Sequence, residues 1–273
     1  MKVLVPLFFV LCLVGALEAR VFESRVSHVD ASDGPGRPHL ILLETGAVVF
    51  LPREEAELLA SFRECQRRGA TLAVDADERN NFIAAQTIGE GVDVAGPRPP
   101  LPRSFEPSVL PDEADALAVF KRMRRDHQRD SQCYNRAHVW AWEEFRATGL
   151  RSSKHFLFFT WRYIRNYRYK WWFHVAPSVA LADETVRILD RTFTRMPLSV
   201  AAWIRNFVYS GRACPEVSDY YDYRRNQNRE DCYLIPVSMY FWQPRDIERR
   251  SRTGAEKSSF LRSEVRHAYR EAF

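Results

Sequence analysis

Three residues far apart in the chain have the types needed for thiol chemistry: Cys133, His174 and Asp190. A cysteine sulfur becomes a strong nucleophile when a base takes its proton, and an imidazole serves as that base when a carboxylate holds it in one orientation. Ser131-Gln132-Cys133 precedes a stretch in which Ala137, Trp140, Ala141 and Phe145 recur at steps of three and four. That spacing predicts a helix that starts at Cys133 and is stopped by Gly149 after Thr148. Cys133 then stands at a helix N-terminus, where unpaired amide N–H groups and the helix dipole favour a thiolate. A buried or disulfide-bonded cysteine would fit the same local pattern.

The base and its carboxylate call for neighbouring strands. Trp171 to Leu181 and Thr185 to Asp190 read as two strands joined at Ala182-Asp183-Glu184. A hairpin centred on Ala182 sets His174 opposite Asp190, as an imidazole and its orienting group require. Pro177 is the point at which a bulge could alter this register.

Upstream of these strands, Phe156, Phe158, Trp161, Tyr163, Tyr167, Tyr169, Trp171 and Phe173 alternate loosely between His155 and Ala176. The pattern reads as two strands with a turn at Arg165-Asn166. Bases stacked on these rings, with Arg162, Arg165, Arg168 and Lys170 on phosphates, would make the run a nucleic-acid platform; sheet packing is the simpler expectation. Tyr233 to Trp242 reads as a final strand, and Leu261, Val265 and Tyr269 as a helical stripe in a C-terminal tail.

The first part of the chain reads as a separate small module. Leu40 to Leu43 and Ala47 to Leu51 form a hairpin around Glu44-Thr45-Gly46. Pro52 opens a helix from Arg53 to about Arg68, with Glu54 and Glu55 in its first turn and Arg67, Arg68 and Gly69 at its end. Leu58, Leu59 and Phe62 are its buried stripe, and Thr71 to Val74 and Phe82 to Thr87 continue as strands. Residues 96–108, rich in proline from Gly96 to Arg103, form an extended connector; an SH3-type ligand is the functional alternative. After it, a helix runs from Pro111-Asp112-Glu113 to about Arg125, with Leu117 and Phe120 on one face.

Composition bounds the rest. The 273 residues are 46% apolar and 13% aromatic, which makes disorder not the default reading and allows one sizeable core or two modest ones. A formal net charge of +5 gives weak support to nucleic-acid binding. The charge is uneven: Arg20 to Arg103 holds 10 basic and 13 acidic side chains, and Glu106 to Phe273 holds 29 and 21. An acidic part tethered to a basic part is expected to dock on it. Residues 1–19 read as an export signal, with Lys2, an apolar run from Val3 to Val14, and cleavage after Ala16 or Ala19. The run is near the lower limit for a membrane anchor, which needs about 20 residues. Of the remaining cysteines, Cys65, Cys133, Cys214 and Cys232, two bridges or one are open in an oxidising compartment. Cys214 and Cys232 flank a polar, tyrosine-rich loop and are read as a bridge, which by chain entropy is worth roughly 3 kcal/mol.

At particular residues the chain resembles a known family. Cys133-Tyr134-Asn135-Arg136-Ala137-His138, Trp172-Phe173-His174-Val175-Ala176, Ile188-Leu189-Asp190 and Pro197 to Trp203 together are similar to the bacterial protein-glutaminases. The resemblance covers roughly Val109 to Trp242 as segments in the same order. It extends upstream, because Leu40 to Thr87 looks like the pro-region that folds over the active site of such enzymes. It implies an α+β fold: a transglutaminase- and papain-like cysteine hydrolase core, its nucleophile helix packed on an antiparallel sheet, over residues 109–244. A pro-region-like α+β module, 20–95, and the linker, 96–108, would precede that core, and a helical tail, 245–273, would follow it.

The implied activity is hydrolysis of protein-bound glutamine to glutamate and ammonia, with Cys133, His174 and Asp190 as triad and the Cys133 backbone N–H as one oxyanion donor. No cofactor or metal is implied, and no His/Cys cluster has zinc-ligand spacing. The expected partners are glutamine-bearing proteins or peptides and the chain's own N-terminal module. Nucleic acid and, once the signal is cut, stable membrane association are not expected, and the location would be secreted or periplasmic. A related cysteine protease or transglutaminase shares the triad, and a secreted binding module with a vestigial triad is the alternative from another class. The chain departs from the family pattern at Arg191, where proline is expected, in its fewer cysteines, and in a tail from Arg245 onward without counterpart. These departures leave the triad intact and bear on substrate choice and activation.

Overall fold

The structure, a computed structural model, describes residues 20–32, 34, 36–90 and 105–273. Residues 1–19, read above as an export signal, and most of the proline-rich connector lie outside the described residues. Two antiparallel-dominated sheets carry the chain. The first has the order β3-β2-β1-β4-β5, from β1 (Arg20–Asp30), β2 (His39–Leu43), β3 (Val48–Leu51), β4 (Thr71–Ala76) and β5 (Phe82–Gly89), with α1 (Ala56–Arg68) between β3 and β4. The hairpin at Glu44-Thr45-Gly46 is as expected; β1, which pairs with both β2 and β4, carries no continuous apolar run and was not legible. Helix α1 begins three residues later than Arg53, because residues 53 and 54 form a turn and Glu55 takes the cap position. Gly69 ends it in the left-handed conformation, φ 62°.

The continuous apolar runs of β2 and β3 have a physical cause. Alternate residues of a strand point to opposite faces. Ile41, Leu43, Val49 and Leu51 pack with Leu59 and Phe62 of α1, whereas Leu40, Leu42, Val48 and Phe50 join Phe156, Phe158, Trp172 and Phe173 in the larger core. Both faces are covered, so neither needs polar residues.

The second sheet has the order β10-β9-β8-β7-β11, with β6 (Val109–Leu110) parallel to the end of β8. Its members are β7 (Ser153–Phe159), β8 (Phe173–Leu181), β9 (Val186–Ile188), β10 (Leu198–Ser199) and β11 (Cys232–Ser238). Around it lie α2 (Glu113–Arg122), α3 (Cys133–Thr148), α4 (Trp161–Tyr167), α5 (Val200–Ile204), α6 (Tyr220–Arg225), α7 (Pro244–Thr253) and α8 (Arg262–Ala272). The expected core is present: α3 packs on β8, and α8 packs on α3. Helix α2 is shorter than Pro111 to Arg125, since the Asp112 side chain caps it at Ala114 N and Asp115 N.

Four expectations are corrected. The stretch around Arg165-Asn166 is the helix α4, not a turn between strands: Thr160 caps it through Tyr163 N, and Tyr163 and Tyr167, one turn apart, have ring centroids 4.6 Å apart. The strand bearing His174 begins at Phe173, not Trp171. The final strand ends at Ser238, and Gln243 and Asp246 then form a capping box for α7. The β8–β9 register is Ser178 with Ile188, Val179 with Arg187 and Ala180 with Val186. Glu184 at φ 65° lengthens the turn, so the hairpin is centred on Asp183 rather than Ala182, and Pro177 introduces no bulge.

The charge asymmetry is used at the junction of the two sheets. Asp30 pairs with Arg165, and Glu44 with Arg245 at 3.5 Å. Lys170 Nζ donates to the Glu78 carbonyl, and Arg168 donates to Asn81 while its guanidinium covers the Phe50 ring. With Arg162 on Asp231, all four cations of the aromatic run hold protein partners. Most of its rings are buried, including Phe156, Phe158, Tyr163, Tyr169 and Phe173, as sheet and helix packing rather than an open platform. Cys214 and Cys232 form the expected disulfide, and Cys65 and Cys133 are free.

Candidate active site

Cys133 is the first residue of α3, as its spacing predicts, and is half-buried against the main core. No side chain caps this helix and its first turn has no acidic residue, which leaves its positive end open to an anion. Arg136 secures the approach to Cys133: its Nη1 donates to Ser131 Oγ at 3.0 Å and to the Ser131 carbonyl.

His174 and Asp190 meet, by a route other than the expected register. Leu189 N donates to Pro177 O at 2.8 Å, then the chain turns back as Phe193 N and Thr194 N donate to the Asp190 carbonyl. This turn aims the Asp190 carboxylate at β8, where His174 Nε2 donates to Oδ2 at 2.6 Å. The other ring nitrogen remains for Cys133, which lies near enough to the imidazole to shift its pKa. Both His174 and Asp190 are buried. Burial alone would push the imidazole pKa down; the charge and hydrogen bond of Asp190, helped by Cys133, outweigh it and raise the value from 6.5 to about 9. Burial likewise opposes ionisation of Asp190, and His174, Trp203 and Arg136 together hold its carboxyl below the ordinary range. A sulfur at a helix mouth, an imidazole and a buried carboxylate behind it can perform nucleophilic acyl transfer.

Residues 114–207 match the model of a family described as glutaminase. The match spans Cys133, His174 and Asp190. This segment is similar to that glutaminase family. The fold is similar to that in a crystal structure of pro-protein-glutaminase, at 14% identity and TM-score 0.50 over 88% of each chain. An NMR structure of protein-glutaminase from Chryseobacterium proteolyticum aligns at 17% identity and TM-score 0.33, over 49% of this chain and 75% of that one. No curated protein matches.

Around Cys133, His174 and Asp190 stand residues that spacing did not single out. Trp203 Nε1 donates to Asp190 Oδ2 at 2.9 Å. The rings of Phe193, Trp203 and Phe207 surround His174, at centroid distances of 5.1, 5.7 and 4.5 Å. Trp203 lies in the segment that carried the resemblance, but nothing in its spacing indicated a bond to a carboxylate. Arg191, the departure from the family pattern, covers the Phe120 ring at 4.5 Å and leaves Asp190 in place. His138 of the same motif is outside the site: its Nδ1 accepts from Lys154 Nζ at 2.9 Å, and that fully buried ammonium also donates to the Phe241 carbonyl at 2.6 Å. Burial pushes the Lys154 pKa well below the usual range.

Proposed function

We propose that the chain is an exported, cysteine-dependent protein-glutamine deamidase made as a latent precursor. The contact of His174 Nε2 with Asp190 Oδ2 at 2.6 Å, with Cys133 at the start of α3 near enough to shift the same imidazole, is the observation that supports this reading most. With the thiol proton resting on His174, Sγ forms a bond with the carboxamide carbon of a glutamine side chain. Developing negative charge on the carboxamide oxygen is stabilised by the N–H groups at the start of α3. The carbon–nitrogen bond breaks as His174 protonates the leaving ammonia. Water, deprotonated by His174, then attacks the thioester, releasing glutamate and the free thiol. Asp190 orients the ring and stabilises its charged form throughout.

In this reading residues 1–19 direct export, 20–95 are a pro-region, 96–108 the linker, 109–244 the catalytic domain and 245–273 a tail that supports it. Latency is supported by the β2–β3 turn, which lies against the residues just before His174: Trp172 N donates to Gly46 O at 3.0 Å, and Ala47 forms a bridge with Trp171. The Cys214–Cys232 bridge supports a secreted or periplasmic location.

An assay for ammonia on a glutamine-containing protein, before and after proteolysis between Pro97 and Pro102, tests the proposal. Ammonia without new N-termini is expected, greater after the cut, and lost in Cys133→Ala and His174→Ala. New N-termini would make the chain a protease; incorporation of added amine would make it a transglutaminase.

A further inference from the structure

Beside the triad an aromatic strip runs outward from His174. Phe193 lies 5.1 Å from the imidazole, Trp171 lies 6.0 Å from Phe193, Tyr169 lies 5.9 Å from Trp171, Tyr209 lies 5.7 Å from Tyr169, and Tyr167 lies 5.9 Å from Tyr209, all between ring centroids. Tyr169 is the buried floor of the strip, whereas Trp171, Phe193, Tyr167 and Tyr209 are 41%, 42%, 42% and 66% exposed. Four large rings left in water side by side form an apolar patch of the kind that marks a binding surface. The N-terminal module does not cover it: Ala47 meets Trp171 by a backbone bridge, and the indole stays outside.

We propose that this strip is the subsite for the residues flanking the target glutamine, and that it selects polypeptide segments in which those residues are aromatic or large and aliphatic. The inference rests on the deamidase reading. Phe193 borders the imidazole, so a chain carrying a carboxamide placed between Cys133 and His174 has the first ring of the strip as a neighbour. From Phe193 to Tyr209 there are three steps of 5.7 to 6.0 Å, the reach of at most about five residues of extended chain at 3.3 Å each. Free glutamine is too short to use such a surface, so its occupant is a peptide. Nucleic acid is a poorer fit, because Arg162, Arg165, Arg168 and Lys170, the cations of the same stretch, are engaged by protein groups. Rigid aromatic side chains contact apolar partners at small entropic cost, which suits a surface meant for varied sequences.

Two fluorescently labelled peptides test the proposal, each with one glutamine, flanked in one by Phe and Leu and in the other by Gly and Ser. Binding is measured by anisotropy to the intact chain carrying Cys133→Ala, and turnover by ammonia release from the chain cut between Pro97 and Pro102. The Phe/Leu peptide is expected to bind roughly tenfold tighter and to show a lower KM by a similar factor. Tyr209→Ala should remove most of that ratio and Tyr209→Phe should keep it. Equal binding of the two peptides, or a ratio untouched by Tyr209→Ala, overturns the subsite. A dimer that buries Tyr209, or salt-sensitive oligonucleotide binding that Tyr209→Ala abolishes, overturns it as well. A binding ratio without ammonia from either peptide sustains the subsite and defeats the deamidase reading, so the two fail separately.

Discussion

Trp203 and His174 donate to one and the same carboxylate oxygen, Asp190 Oδ2, at 2.9 and 2.6 Å. The indole therefore fixes the carboxylate that fixes the imidazole, and it does so inside the core, where a lost donor is not replaced by water. Trp203→Phe keeps the ring and removes the N–H. It is expected to lower stability by about 2 kcal/mol and to reduce kcat more than KM, with thermal unfolding and steady-state kinetics as the measurements. Wild-type kcat in this variant would show that Asp190 needs no second anchor.

The charged pair gives stability a definite pH dependence. The His174 pKa is raised from 6.5 to about 9, so the folded chain binds more protons than the unfolded chain between these values. The stabilisation is fully present below pH 6.5 and is lost as pH rises through about 9. Asp190, held below its ordinary value, keeps its contribution until pH falls beneath the usual carboxylate range. Unfolding free energy measured from pH 6 to 10 should fall more steeply in the wild type than in His174→Gln. Parallel curves would mean that the imidazole is not charged in the folded state.

A second histidine acts in the opposite sense. His28, on β1, is buried at the junction of the two sheets, shares a 2.9 Å hydrogen bond with the Tyr220 hydroxyl and meets the edge of Trp172. Burial first, and the charge of Arg224 second, lower its pKa to about 3. A lowered histidine stabilises the folded state above 6.5 and loses that contribution as pH falls from 6.5 toward 3. In chain cut at the linker, the N-terminal fragment should separate more readily at pH 4.5 than at pH 7 on size-exclusion chromatography, and His28→Phe should blunt the difference. Equal retention at both pH values in the wild type would contradict this.

Gly46 lies in the β2–β3 turn, against the residues just before His174. Its φ is 93°, and a Cβ there would lie 3.2 Å from Phe173 Cε1, one residue before His174. Gly46→Val combines backbone strain with overpacking, each costing about 1–3 kcal/mol. Unfolding should occur at lower temperature, and glutaminase activity should appear before any cut in the linker. An unaltered melting curve would show that this turn can shift without cost.

Much of this was legible from residue types and spacing. The span of α3 and its Gly149 stop follow from apolar steps of three and four between two clear signals, and the β2–β3 hairpin from two apolar runs around a Gly-bearing turn. His174 and Asp190 were expected side by side and do meet, yet the expected register was one position out at the turn centre. Glu184 in the left-handed conformation displaces that centre, and the sequence carries no sign of it, since glutamate is not a residue that favours positive φ. Helix α4 was hidden because Trp161, Tyr163, Tyr167 and Tyr169 satisfy both the two-residue and the four-residue period. The bonds from Trp203 and Arg136 depend on tertiary approach across elements, which local pattern does not encode.

The most direct measurement is the mass of a single-glutamine peptide after incubation with the cut chain, read for wild type and for Cys133→Ala. The peptide should keep its length and acquire the mass that separates a carboxylate from a carboxamide, in the wild type alone. The same mass change with Cys133→Ala, or none with either, would contradict a thiol-based deamidation at this site.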